Sequence, residues 1–225
     1  MNSVRKCYLC GSTENLTRDH IPPENIFPEP KPTNLITVPC CRKCNEGFSK
    51  DDEVFRLWVA SSVSRSPVGD WIWEKKVVGS TLRRSPKLLE NIQPFFGKDW
   101  METPHGKIEM DTLAFPPERM NRYLVRLTKG FLCAFYPAYD YSNDVFAPRH
   151  IQQTQKNLTG VRDLICHLNY IERGERVFRA WHGISVDSGK SGAWVYTFYD
   201  GACFIVFHYY KELQLECRTI AGERE

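Results

Sequence analysis

The sequence predicts an α+β protein in which a small cysteine-stapled N-terminal unit precedes a mixed helix and antiparallel-sheet domain. Three observations predict it. Two CxxC pairs, Cys7-Tyr8-Leu9-Cys10 and Cys41-Arg42-Lys43-Cys44, bracket an irregular segment that is too poor in apolar periodicity to bury a core of its own. Residues 117–136 place Met120, Tyr123, Leu124, Leu127, Phe131, Ala134 and Phe135 close to a 3.6-residue period. Residues 193–199 and 202–210 are β-rich runs on either side of Asp200-Gly201, a strong hairpin signal.

Taken in order, residues 1 to about 48 need a staple, and Leu35-Ile36-Thr37-Val38 reads as a short strand after a Pro-rich loop. The second knuckle then turns into a short helix around Asn45. Ser49-Lys50-Asp51-Asp52 has the form of a capping box ahead of Val54, Phe55, Leu57, Trp58 and Val59, which predicts a helix over about 50–64. Residues 65–105, with their Trp, Phe, Pro and Gly, predict mixed short elements. Pro116-Pro117 opens the 117–136 helix and Pro137 ends it. Val177 to Val186 is a neighbouring strand. The expected organisation is two domains, 1–60 and 61–225. Aromatic residues in the strands are expected mainly in the core.

Composition sets outer limits. With 42% hydrophobic and 25% charged residues, the chain has ordinary globular proportions, and no apolar run approaches a membrane span. The first residues lack the apolar stretch of a secretory signal. Nine cysteines, an odd count with four of them in CxxC pairs, argue for metal in a reducing compartment rather than a disulfide framework. A cytoplasmic, membrane-free protein is expected. The formal charge of +3 does not by itself demand a nucleic-acid partner.

A CxxC turn aims both thiolates at one ion, so Cys7, Cys10, Cys41 and Cys44 are the expected ligands of a structural Zn²⁺. Cys40 competes with Cys41, but only Cys41 keeps the spacing to Cys44. The alternatives are redox-active or merely buried pairs. Between the pairs lies Asp19-His20-Ile21-Pro22, and Asn45 follows the last cysteine directly.

The order CxxC, Asp-His-Ile-Pro, Asn34-Leu-Ile, CxxC-Asn resembles the HNH (ββα-metal) endonucleases, in the zinc-stapled, endonuclease VII-like subtype with Asp-His…Asn. The resemblance covers about residues 5–50. It implies an N-terminal zinc-stapled ββα-metal motif and a hydrolase cutting phosphodiester bonds. His20 would be the general base that takes a proton from the attacking water. Asp19 and Asn45 would be oxygen ligands of one catalytic Mg²⁺ or Mn²⁺. Asn34 would tie the loop to its neighbouring backbone. The third motif position is Asn45 rather than His, which favours a hard cation. Asp51-Asp52-Glu53 reads as helix N-terminal charge, with an outer-shell carboxylate as the rival role.

The expected substrate is DNA, with RNA as the alternative. A zinc-binding recognition module without catalysis is the reading from a different class. Phosphate contacts are expected from Arg42 and Lys43, from a middle stretch with Lys75, Lys76, Arg83, Arg84 and Lys87, and from a stripe on the 117–136 helix formed by Arg119, Arg122, Arg126 and Lys129. That stripe reads equally as the solvated face of an amphipathic helix. Cutting both strands with one active site implies a homodimer, although no oligomer signal is readable in the sequence.

Overall fold

A computed structural model describes residues 5–61, 66–81, 83, 86–87, 90, 93–103, 106–113, 117–151, 155–185 and 189–211. The chain is α+β, and the described residues form four α-helices and antiparallel sheets. It starts with the hairpin β1 (Leu16–Ile21) and β2 (Ile36–Cys41), followed without a break by helix α1 (Arg42–Ala60). The short helix α2 (Pro67–Trp71) continues into a wide π-type segment, Ile72–Thr81. A two-stranded ribbon follows, β3 (Phe96–Thr103) and β4 (Gly106–Leu113). Then come α3 (Pro117–Phe135), β5 (Asp144–His150), α4 (Gln155–Ile165), β6 (Asn169–Arg173), β7 (Phe178–Ile184), β8 (Ser191–Phe198) and β9 (Ala202–Tyr210).

The last five strands form one antiparallel sheet in the order β5-β9-β8-β7-β6. Its β8–β9 turn carries positive φ at Tyr199 and Asp200, and the Gly201 N–H donates to the Phe198 carbonyl at 3.0 Å. Two consecutive positive φ values give the primed turn whose twist matches a hairpin. One face of the sheet receives α3: Phe131 stacks on Trp194, Tyr196 and Phe178 with centroids 5.8–6.0 Å apart. Trp194, Tyr196 and Phe204 are fully buried there, as their alternation in the strands requires. On the opposite face Val195, Cys203 and Ile205 pack with Val161, Leu164 and Ile165 of α4.

Helix α3 therefore lies between the large sheet and the N-terminal hairpin. It touches β1, β2, α1, β5 and β9. Its approach to β1 is close: a Cβ on Gly130 would meet Ile21 Cδ1 at 2.6 Å. Phe55 of α1 stacks on Tyr123 of α3 with centroids 3.6 Å apart and planes 9° from parallel. One hydrophobic cluster runs from Cys7 and Ile21 through Phe55 and Leu127 to Trp194 and Val206. Residues before and after position 60 share this core.

The first helix differs from its sequence expectation. It begins at Arg42, with Cys41 as the extended N-cap residue (φ −69°, ψ 151°). Ser49 caps nothing; its hydroxyl donates to the Glu46 carbonyl at 3.0 Å, the local bond available to a serine inside a helix. The short helix expected at Asn45 and the longer one expected from 50 are a single element, because Arg42–Asn45 already lie on the helix that buries Val54, Phe55 and Leu57. Among the described residues no helix is long and apolar enough to cross a membrane.

Candidate metal centre and active site

The first knuckle is a turn closed by its own backbone. The Gly11 N–H donates to the Cys7 carbonyl at 2.8 Å, with Gly11 at φ +75°, a conformation glycine adopts without strain. The Cys7 N–H donates to Ser12 O at 2.8 Å, and the Tyr8 N–H reaches Pro39 O at 3.0 Å, which docks the knuckle on β2. The second knuckle is the first turn of α1. These two pieces bring the Sγ atoms of Cys7, Cys10, Cys41 and Cys44 within 4.8 Å of one another. The Sγ atoms of Cys10 and Cys41 lie 3.7 Å apart. A tetrahedron with metal–sulfur bonds of about 2.3 Å needs sulfurs about 3.8 Å apart, so the four residues fit a metal ion such as zinc.

The thiols are tuned unequally. Burial raises the Cys7 thiol, but backbone N–H donors from Cys41, Cys10 and Leu9 outweigh it and bring the group down to about 6. Burial pushes the Cys44 and Cys40 thiols up. Cys40 Sγ lies 4.0 Å from Cys7 Sγ but outside the four-sulfur cluster, since its side chain and that of Cys41 leave β2 on opposite faces.

The rest of the expected site is divided by the pleat of β1. The strand pairs with β2 in unbroken register, Asp19 opposite Val38 and His20 opposite Thr37. Neighbouring residues of a strand face opposite ways. Asp19 and Val38 are buried, whereas His20 is half-buried and Thr37 exposed. Arg18, exposed, shares the outer face with His20. Asn45, in the first turn of α1, is held against β1: its amide donates to Thr17 Oγ1 at 3.2 Å and approaches the Arg18 carbonyl at 3.5 Å. The structure thus brings Asn45 to the strand that carries His20, but it turns Asp19 away from His20.

Asp19 has a different set of partners. The Tyr8 hydroxyl donates to Asp19 Oδ2 at 2.7 Å. Arg126 donates from Nη2 to Oδ1 and Oδ2 at 2.7 and 2.9 Å, and from Nε to Oδ2 at 3.2 Å. Its remaining nitrogen, Nη1, donates to Asp52 Oδ1 at 2.6 Å. Arg126 is only 3% exposed and Asp19 only 4%. Two carboxylates share one guanidinium. Burial therefore dominates at Asp52 and lifts its carboxyl to about 7, against the pull of Arg126. The Tyr8 hydroxyl is shifted upward by burial and by Asp19. With both oxygens engaged and no exposed edge, Asp19 does not fit the role of a divalent-cation ligand beside Asn45 in this arrangement.

The same contacts take Arg126 out of the basic stripe expected on α3. Arg126 is interior, Arg122 pairs with Asp51 at short range, and Arg119 Nε lies 3.5 Å from Asp51 Oδ1. Lys129 is half-buried over the Phe146 ring, 5.4 Å from its centroid. Arg126 thus faces the acids of α1 and β1, whereas Arg119 and Arg122 pair with Asp51 on the face of α1 that packs on α3 and keep side chains 41% and 57% exposed. Arg42, Lys43 and Arg83 are exposed, and Arg84 lies outside the described residues. Asn34 is exposed before β2, and its side chain makes no hydrogen bond among the described residues, so the expected tie to the backbone is not formed.

The part played by Tyr8, the inward role of Arg126 and its pairing with Asp52 escaped the sequence reading. A signal existed: Arg126 follows Tyr123 by three positions and precedes Gly130 by four, so it belongs beside the buried stripe. No family model, no curated protein and no solved structure matches this chain.

Proposed function

We propose that the chain is an endonuclease of the HNH type that hydrolyses phosphodiester bonds of DNA, with its N-terminal unit held by one structural zinc. The observation that carries this reading is the order hairpin, four-thiol cluster, helix: the cluster sits where α1 starts and seats Asn45 against the strand that bears His20. His20 is the base. Its ring accepts a proton from a water whose oxygen forms the new bond to phosphorus; the bond to the 3′ oxygen breaks, leaving 5′-phosphate and 3′-hydroxyl ends. Arg18, on the same face of β1, and Arg42 and Lys43, on the first turn of α1, supply cations for the phosphate backbone.

The test is cleavage of plasmid and of RNA in Mg²⁺ or Mn²⁺, with EDTA as control. His20→Ala should lose about two to four orders of magnitude in rate, the usual contribution of a general base, while keeping zinc, fold and DNA binding. Cleavage by His20→Ala at the unchanged rate would reject the assignment.

The burial of Asp19 favours a second reading, a zinc-stapled nucleic-acid or protein recognition module that cuts nothing. Under it the unaltered chain binds DNA in the same assay and leaves it intact with either metal.

A further inference from the structure

The chemistry expected of Asp19 and the place where the fold puts it disagree, and the disagreement follows a pattern of charge. Every nitrogen of the Arg126 guanidinium is in use: Nη2 and Nε on Asp19, Nη1 on Asp52. The face of the group lies over the Phe48 ring, 4.7 Å from its centroid. Both oxygens of Asp19 accept from it. A guanidinium thus stands against Asp19 where the proposed reaction would want a cation. Two positive groups cannot share one buried carboxylate without strong repulsion, since the low-dielectric interior screens them poorly.

The guanidinium comes from far along the chain, 107 positions after Asp19. It is carried by α3, which also grips α1 through Arg119 and Arg122 on Asp51. Tyr8, between the first two cysteines, donates to the same carboxylate. The cluster therefore joins the knuckle, β1, α1 and α3, and no single rotamer change frees Asp19.

We propose that Arg126 is an internal counter-ion that closes Asp19 to divalent cations, so that the catalytic cation of the nuclease is held without that carboxylate. The inference rests on the reading of β1 and α1 as the nuclease site and concerns which of its residues meet the cation.

The experiment is Mn²⁺ binding to the full, zinc-loaded chain, followed by the electron-paramagnetic signal of free Mn²⁺. The double variant Arg126→Gln with Asp52→Asn removes one charge of each sign. It should bind Mn²⁺ roughly tenfold or more tightly than the unaltered chain, within the range by which groups around a metal ligand alter affinity. Adding Asp19→Asn should erase the gain. Equal Mn²⁺ affinity in the unaltered chain and the double variant, or a gain that survives Asp19→Asn, overturns the proposal. If the double variant does not hold its zinc and its thermal transition, Arg126→Met with Asp52→Asn replaces it, removing the same two charges with a side chain that fills the space beside Phe48, with the same outcomes deciding. Binding is read without turnover. A Mn²⁺ gain in a chain that cuts neither DNA nor RNA removes the nuclease reading and retains the closed carboxylate; cleavage with no Mn²⁺ gain does the reverse.

Discussion

The first 60 residues and the five-stranded sheet are built from opposite materials. The N-terminal hairpin and knuckles converge on four thiols and on a buried group of two carboxylates, a guanidinium and a phenol. The sheet converges on stacked rings, Phe131 against Trp194, Tyr196 and Phe178. Aromatic burial is non-directional and tolerates adjustment. Thiolate and charge clusters depend on particular partners, and removing one partner leaves the others buried and uncompensated. The same chain thus contains a region whose stability is spread over many contacts and a region whose stability is concentrated in two clusters, with α3 serving both.

The largest expected effect separates the two. Structural zinc contributes on the order of 10 kcal/mol to small domains that depend on it. Cys44→Ala, or a strong chelator, should release the zinc and abolish amide-exchange protection in β1 and β2 while β7 to β9 keep theirs. Simultaneous loss of protection in both regions would show that the shared core makes them one cooperative unit, and the comparison would fail.

The next effects are similar in size but different in kind. Arg126→Leu should cost about 3–5 kcal/mol, because Asp19 and Asp52 are then buried without a counter-ion. Phe131→Ala should cost about as much, from lost transfer and an unfilled cavity. Denaturant unfolding distinguishes them through rescue. Replacing Asp19 and Asp52 by Asn in the Arg126→Leu background should recover much of the loss, while no change of charge should recover Phe131→Ala.

The smallest expected effect is a pH dependence belonging to the sheet. Burial lowers His182 from 6.5 to about 4, with its ring between Phe135 and Trp194 and its Nδ1 3.0 Å from the Tyr136 hydroxyl. The unfolded chain takes up this proton near 6.5 and the folded chain only near 4. Stability should therefore be constant above about pH 6.5 and fall as the pH drops toward 4, by on the order of 2 kcal/mol for this group. His182→Phe should flatten that part of the profile. An unchanged slope would assign it to other groups, such as His150 or His208, which burial shifts in the same direction.

Much of this was legible in the residues themselves. The spacing of Cys7, Cys10, Cys41 and Cys44 named the four-thiol cluster that could hold a metal ion, because two tight turns leave four thiols few other arrangements. The 3.6-residue period of 117–136 and the runs around Asp200-Gly201 named α3 and the β8–β9 hairpin, because periodicity is a local property. The start of α1 was misplaced, since Ser49 offers the same local pattern inside a helix as at its end.

The partners of the charges were not legible. Asp19-His20 in the sequence is one motif; in a regular strand it is two faces, and the pleat sends the carboxylate inward and the imidazole outward. Arg119, Arg122 and Arg126 recur at helical spacing whether they meet phosphate or the Asp residues of α1. Composition and period are set by neighbours along the chain, and so the sequence determined the four-thiol cluster, the helices and the strand runs. Which charge neutralises which, and hence whether Asp19 is open to a cation, depends on how α3 packs between hairpin and sheet, and only the tertiary structure decided that.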